Sequence, residues 1–134
     1  MEADTRIMQG KKALIIENDA IIRECIQVMY ESEGLEVVSA RDGETGFELS
    51  LEHVPDLVVS DLYMVGLSGI DLFKRLRADQ RTGNIPFMFI TADARSAVRE
   101  ECLALGADAF LLKPFTFEEL MRKTRSLLAK EGAS

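Results

Sequence analysis

Four stretches of this 134-residue chain place a polar side chain where an apolar run stops. Glu17, Asn18 and Asp19 follow Ala13-Leu14-Ile15-Ile16, and Asp61 follows Val58-Val59-Ser60. Thr91-Ala92 follow Phe89-Ile90, and Lys113-Pro114 follow Phe110-Leu111-Leu112. Carboxylates, a hydroxyl and an ammonium are the parts of a site that holds an ion or a charged ligand. Singly, each has a plainer use. Asp61 could open a turn by bonding the backbone two residues on, and Asp19 could cap the next helix. Thr91 could be an ordinary strand residue, and Lys113 could be solvated. Jointly they point to function, because unpaired charges do not gather at one edge without a compensating ion or ligand.

The elements that must position them come next. Five apolar runs, over 13–17, 35–40, 56–61, 85–91 and 109–113, alternate with five helical patterns. Ile22, Cys25, Ile26 and Met29 recur at helical spacing until Gly34, and residues 42–53 form a second helix before Pro55. Ser68-Gly-Ile-Asp71 reads as a capping box with Asp in the usual Glu position, leading Ile70, Phe73 and Leu76 along one face. A fourth helix spans about 94–105 and ends at Gly106, and Thr116-Phe-Glu-Glu119 is a second capping box. The strands are nearly continuous apolar runs, which marks a sheet covered on both faces and therefore parallel strands with helical crossovers. The prediction is an α/β doubly wound, five-stranded parallel sheet. In such sheets ligands sit outside the carboxyl ends of the strands, where all four polar stretches fall.

Composition narrows the classes. The length suits one domain, and 47% hydrophobic with 29% charged residues suits a soluble one. A net charge of −7 argues against a nucleic-acid surface, which needs clustered Lys and Arg. No apolar run has the length of a membrane span. Residues 1–10 lack the apolar core of a signal peptide and read as a disordered lead-in, with the domain at 11–130 and a tail at 131–134. The cytoplasm is the default location. Cys25 and Cys102 read as buried thiols. His53, the one histidine, reads as a solvated helix end.

Over residues 11–130 the chain resembles the receiver domains of two-component response regulators. The resemblance rests on ALIIEND, DLVVSDLYMVGLSGIDLFKRLR, FITA and GADAFLLKPF, which occur in that order at strand ends. It implies a flavodoxin-like (βα)5 sandwich with strand order 2-1-3-4-5. It implies that Asp61 is the phosphate acceptor and that Mg2+ is held by Glu17, Asn18, Asp61 and the backbone carbonyl of Tyr63. Thr91 and Lys113 match the hydroxyl and the lysine that contact the phosphoryl group, helped by backbone N–H groups at Met64 and Ala92. Phe110 matches the aromatic switch residue, and Lys113-Pro114 matches a cis peptide. The implied partners are a sensor histidine kinase or a phosphotransfer protein. The fourth helix, fifth strand and fifth helix would serve a downstream protein or a dimer of the chain itself, on a face with Arg95, Arg99, Phe110, Glu118, Arg122 and Arg125.

Two positions depart from the family pattern. Asn18 stands where an aspartate is usual, and Val65 replaces a loop proline. Asn18 supports a competing reading, a binding module that has lost phosphorylation, whereas Asp61, Thr91 and Lys113 oppose it. A phosphatase of the haloacid dehalogenase type would want a second aspartate at position 63, where Tyr63 stands. A flavodoxin would want a Ser-, Thr- and Gly-rich phosphate loop where ENDAIIRE occurs.

Overall fold

The computed structural model describes the backbone of residues 7–133 and the side chains of residues 7–129. Strands β1 (Lys12–Ile16), β2 (Glu36–Ala40), β3 (Leu57–Asp61), β4 (Phe87–Thr91) and β5 (Ala109–Leu112) alternate with five helices. These are α1 (Ala20–Ser32), α2 (Gly43–His53), α3 (Gly69–Ala78), α4 (Ser96–Ala104) and α5 (Phe117–Ala133). All neighbouring strands pair in parallel, in the order β2-β1-β3-β4-β5. Both the sandwich and the strand order agree with the sequence-based expectation.

Alternate residues of each strand feed opposite faces of the sheet. Ala13, Ile15, Leu57, Val59, Met88, Ile90 and Leu111 join a core under α1 and α5. Leu14, Ile16, Val58, Phe87, Phe89 and Phe110 join a second core under α2, α3 and α4. Burial on both faces is why the strands read as continuous apolar runs. Tyr30 and Thr124 meet inside the first core at 2.8 Å, tying α1 to α5, and burial pushes the Tyr30 phenol up. The helix starts follow their local chemistry. Thr116 and Glu119 form the full reciprocal box, at 2.9 and 3.1 Å. Ser68 accepts from the Asp71 amide at 3.1 Å, whereas no return bond from Asp71 is formed among the described residues. Asp is one methylene shorter than the Glu of a full box.

Three expectations need correction. The lead-in was expected to reach residue 10, yet residues 7–10 are placed and Met8 is fully buried in the first core. The rest of the lead-in, residues 1–6, lies outside the described residues. A tail was expected from 131, yet α5 continues to Ala133; residue 134 lies outside the described residues. Cys25 is exposed and only Cys102 is buried, because Ile26 and Tyr30 are the residues of α1 that turn fully inward. Among the described residues, no helix is long and apolar enough to cross a membrane.

Gly69 links fold to site. Its amide donates to Leu62 O at 2.9 Å, and a Cβ there would collide with Asp61 O and the Leu62 backbone. Only glycine lets α3 start this close to the end of β3. Gly69→Ala should therefore destabilise the chain by about 1–3 kcal/mol, as overpacking against rigid backbone does. It should also move the NMR signals of Asp61 and Leu62, as checked by urea unfolding and amide spectra.

Candidate functional site

The strand register assembles the site. Ile16 pairs with Ser60, so Glu17 and Asp61 leave β1 and β3 side by side. Asp61 pairs with Ile90 and Thr91 with Leu112, so Thr91 and Lys113 follow on the adjoining strands. Lys113 N donates to Thr91 O at 2.8 Å, and the Lys113-Pro114 peptide is cis.

Three charged side chains meet at this edge. Lys113 Nζ lies 2.6 Å from Glu17 Oε1 and 3.3 Å from Asp61 Oδ2. Glu17 is buried, while Asp61 and Lys113 keep limited access to solvent. Both contacts are ion pairs, and the one to Glu17 Oε1 is the shorter. Burial works against the charge on Lys113. The Glu17 and Asp61 carboxylates outweigh it, and the ammonium titrates above the ordinary lysine range. Asp61 Oδ1 accepts from the Tyr63 amide at 3.4 Å, a long turn bond.

The remaining expected residues divide by position. Thr91 is buried and its Oγ1 accepts from the Asp93 amide at 3.1 Å. Asn18 is exposed, and its side-chain amide makes no hydrogen bond among the described residues. Asp19 is withdrawn from the site, since its carboxylate caps α1 by accepting from the Ile21 and Ile22 amides at 2.9 and 3.2 Å. Met64 and Ala92 lie on the two loops that flank the acid and the hydroxyl, and their N–H groups take no part in the backbone bonds that close those loops. Phe110 is two residue pairs below the edge pair of Thr91 and Leu112, opposite Phe89, and is already buried at 6% exposure.

One group was not legible beforehand. The Tyr63 hydroxyl donates to Asp93 Oδ2 at 2.5 Å, and Arg95 grips both Asp93 oxygens at 2.9 and 2.7 Å. This triad joins the loop after β3 to the loop before α4. The hydrogen bond to Asp93 raises the Tyr63 pKa, and the Arg95 guanidinium holds the Asp93 carboxyl well below the usual range. No periodic pattern signals it, because its members are loop residues 30 positions apart.

The donor set fits a hard cation. Magnesium takes oxygen ligands, binds through one or two carboxylates and keeps several waters. Glu17 and Asp61 supply two carboxylates that share one ammonium, and Asn18 adds an exposed side-chain amide that makes no hydrogen bond among the described residues. Among the described residues, no group of three or more His, Cys, Asp or Glu is placed to hold a metal ion, so a cation at this edge would rest on two carboxylates.

The response regulator receiver domain family matches residues 13–125. The chain belongs to that family. The receiver domain is 34% identical over 125 residues to the phosphate regulon transcriptional regulatory protein PhoB of Pseudomonas aeruginosa, covering 93% of this chain and 55% of that protein. It thus spans about half the length of the curated relatives it matches. Among solved structures, the receiver domain of a sensor histidine kinase from Pseudomonas aeruginosa superposes with a TM-score of 0.83 at 27% identity, over 90% of this chain and 98% of that one. That protein was crystallised with a magnesium ion coordinated in its active-site cleft. The chemotaxis protein CheY4 of Vibrio cholerae shares the fold, with a TM-score of 0.83 at 24% identity over 88% of this chain and 98% of that one.

The raised Lys113 pKa has a definite pH signature. Its stabilisation is complete below the unfolded lysine value, about 10.4, and is lost as the pH climbs through the folded value. Lys113→Gln should cost about 1–3 kcal/mol at pH 7. That is less than a fully buried pair, since the ammonium reaches solvent. The cost should shrink toward pH 11, because the wild type then begins to lose the ammonium that glutamine lacks. Urea unfolding of both proteins at the two pH values checks this, and an equal cost at both would contradict it.

Proposed function

We propose that this receiver domain is a phosphorylation-dependent signalling switch with Asp61 as its acceptor. The observation that supports this best is the Lys113 ammonium held between Glu17 and Asp61 at the sheet edge. A carboxylate can attack phosphorus to give an acyl phosphate. An Asp61 oxygen forms the new bond to phosphorus. The bond from phosphorus to the donor breaks, and its electron pair leaves with the donor, a phosphohistidine nitrogen or the carboxylate oxygen of acetyl phosphate. Repulsion between two anions is the obstacle. Glu17, Asn18, Asp61 and the Tyr63 carbonyl would hold magnesium, which would supply the charge neutralisation that the transfer needs.

The chain's own residues do the rest. Lys113 offers a point charge to a phosphoryl oxygen once it leaves Asp61 Oδ2. Thr91 Oγ1 uses a lone pair on the Asp93 amide and keeps its proton to donate to another phosphoryl oxygen. The amides of Met64 and Ala92 complete the positioning. The donor is a sensor histidine kinase or a phosphotransfer protein. An apolar groove beside the site, lined by Ile21, Cys25, Met29, Pro114 and Phe115, gives such a protein a surface to rest on. The output face, for a downstream protein or a second copy, is α4, β5 and α5. The domain turns over no separate substrate and works in the cytoplasm.

The switch runs through Thr91 and Phe110. Because Phe110 is already inward, phosphorylation has only to fix it there by drawing Thr91 toward the phosphoryl group, as packed cores have discrete arrangements.

Two experiments test the reading. Incubation with acetyl phosphate and magnesium should add the mass of one phosphoryl group, and Asp61→Asn should abolish the addition. An unmodified wild type would favour the phosphorylation-independent binding module. The second concerns Asn18, which brings an oxygen but no charge. Asn18→Asp should bind magnesium about tenfold more tightly, a remainder of the Coulomb gain after desolvation. Equal affinities in an NMR titration would remove position 18 from the ligand set.

A further inference from the structure

Every polar atom of Glu17 has a partner. Its amide donates to Ala40 O at 3.0 Å, and its Oε2 accepts from the Asp19 amide at 2.9 Å. Its carbonyl accepts from the Arg23 guanidinium at 2.7 Å, and the same nitrogen lies 3.4 Å from Asn18 O. Its buried Oε1 faces the Lys113 ammonium at 2.6 Å. Arg23 sits one helical turn into α1, and its own amide donates to Asp19 O at 2.9 Å. Among the described residues it forms no ion pair, so its guanidinium is committed to the carbonyls of the loop.

We propose that Arg23 is a positioning residue: its side chain clamps the peptides of Glu17 and Asn18 so that Glu17 Oε1 and the Asn18 amide face the metal site. This rests on the reading that magnesium binds at Glu17, Asn18 and Asp61. The clamp matters more here than in a site with aspartate at position 18. With one ligand uncharged, affinity leans on Glu17 and Asp61. Asp19 is drawn toward the helix, since its Oδ1 accepts both cap bonds. Loss of the clamp frees the carbonyls of 17 and 18 to turn, and with them the side chains they carry. The guanidinium charge acts in the opposite sense, since it repels a divalent cation. The two effects are separable, because a lysine keeps the charge and can still donate to Glu17 O, whereas an alanine removes both.

The test is a magnesium titration of wild type, Arg23→Ala and Arg23→Lys, followed by amide NMR. Arg23→Ala should bind about tenfold more weakly, in the range expected for losing a group that orients a metal ligand. Arg23→Lys should recover most of the affinity. Hydrogen exchange of the Asp19 amide is a second readout that needs no metal, and it should quicken in Arg23→Ala and recover in Arg23→Lys. Magnesium affinity in Arg23→Ala equal to or tighter than wild type would overturn the proposal, as would failure of lysine to rescue. If the wild type bound no magnesium, the metal reading would fail by itself, and unchanged Asp19 exchange in Arg23→Ala would then overturn the clamp as well.

Discussion

Glu17 and Asp61 stand side by side at the edge of an apolar sheet, and their mutual repulsion has to be neutralised there. A carboxylate as buried as that of Glu17 is tolerated only with a partner. Lys113 is that partner, and it serves Asp61 as well. Because β1, β3, β4 and β5 run parallel, the polar residues at their C-terminal ends fall on one edge. Two negative charges against one positive charge leave a net deficit. That deficit suits the edge to a cation and, with the cation present, to a phosphoryl group.

The rest of the molecule keeps that edge fixed. Two cores on opposite faces of the sheet hold the strands in register. Gly69 lets α3 close against the end of β3. The Tyr63, Asp93 and Arg95 triad spans the two loops on either side of the acid and the hydroxyl. Thr91 belongs to both worlds: its strand is buried, and its hydroxyl reaches the loop that carries the triad. Thr91 thereby links the sheet edge to the loop before α4.

The fold was readable because each interior strand is buried on both faces. Val58, Val59, Phe89 and Ile90 carry no polar interruption, and the capping chemistry of Thr116 and Glu119 acts within four residues. The acid, the hydroxyl and the lysine were readable because strand ends in a parallel sheet share one edge. Features set by tertiary contact were not. Met8 precedes the first strand and shows no period, yet the core under α1 and α5 covers it. Cys25 fits the helical spacing of α1 but falls on its outer side. Asp19 could cap or coordinate by sequence, and only the placed side chain decides for the cap. Arg23 looks like any charged residue of an amphipathic helix until its reach to Glu17 O is seen.

The central claim is that Asp61, alone among these carboxylates, becomes an acyl phosphate. Borohydride reduces an acyl phosphate of aspartate to homoserine, which marks the residue permanently. The chain should be treated with acetyl phosphate and magnesium, reduced, digested and sequenced by tandem mass spectrometry. The account predicts homoserine at position 61 and at no other aspartate. Homoserine at Asp19 or Asp93, or a reduced acid at Glu17 with Asp61 intact, would contradict it.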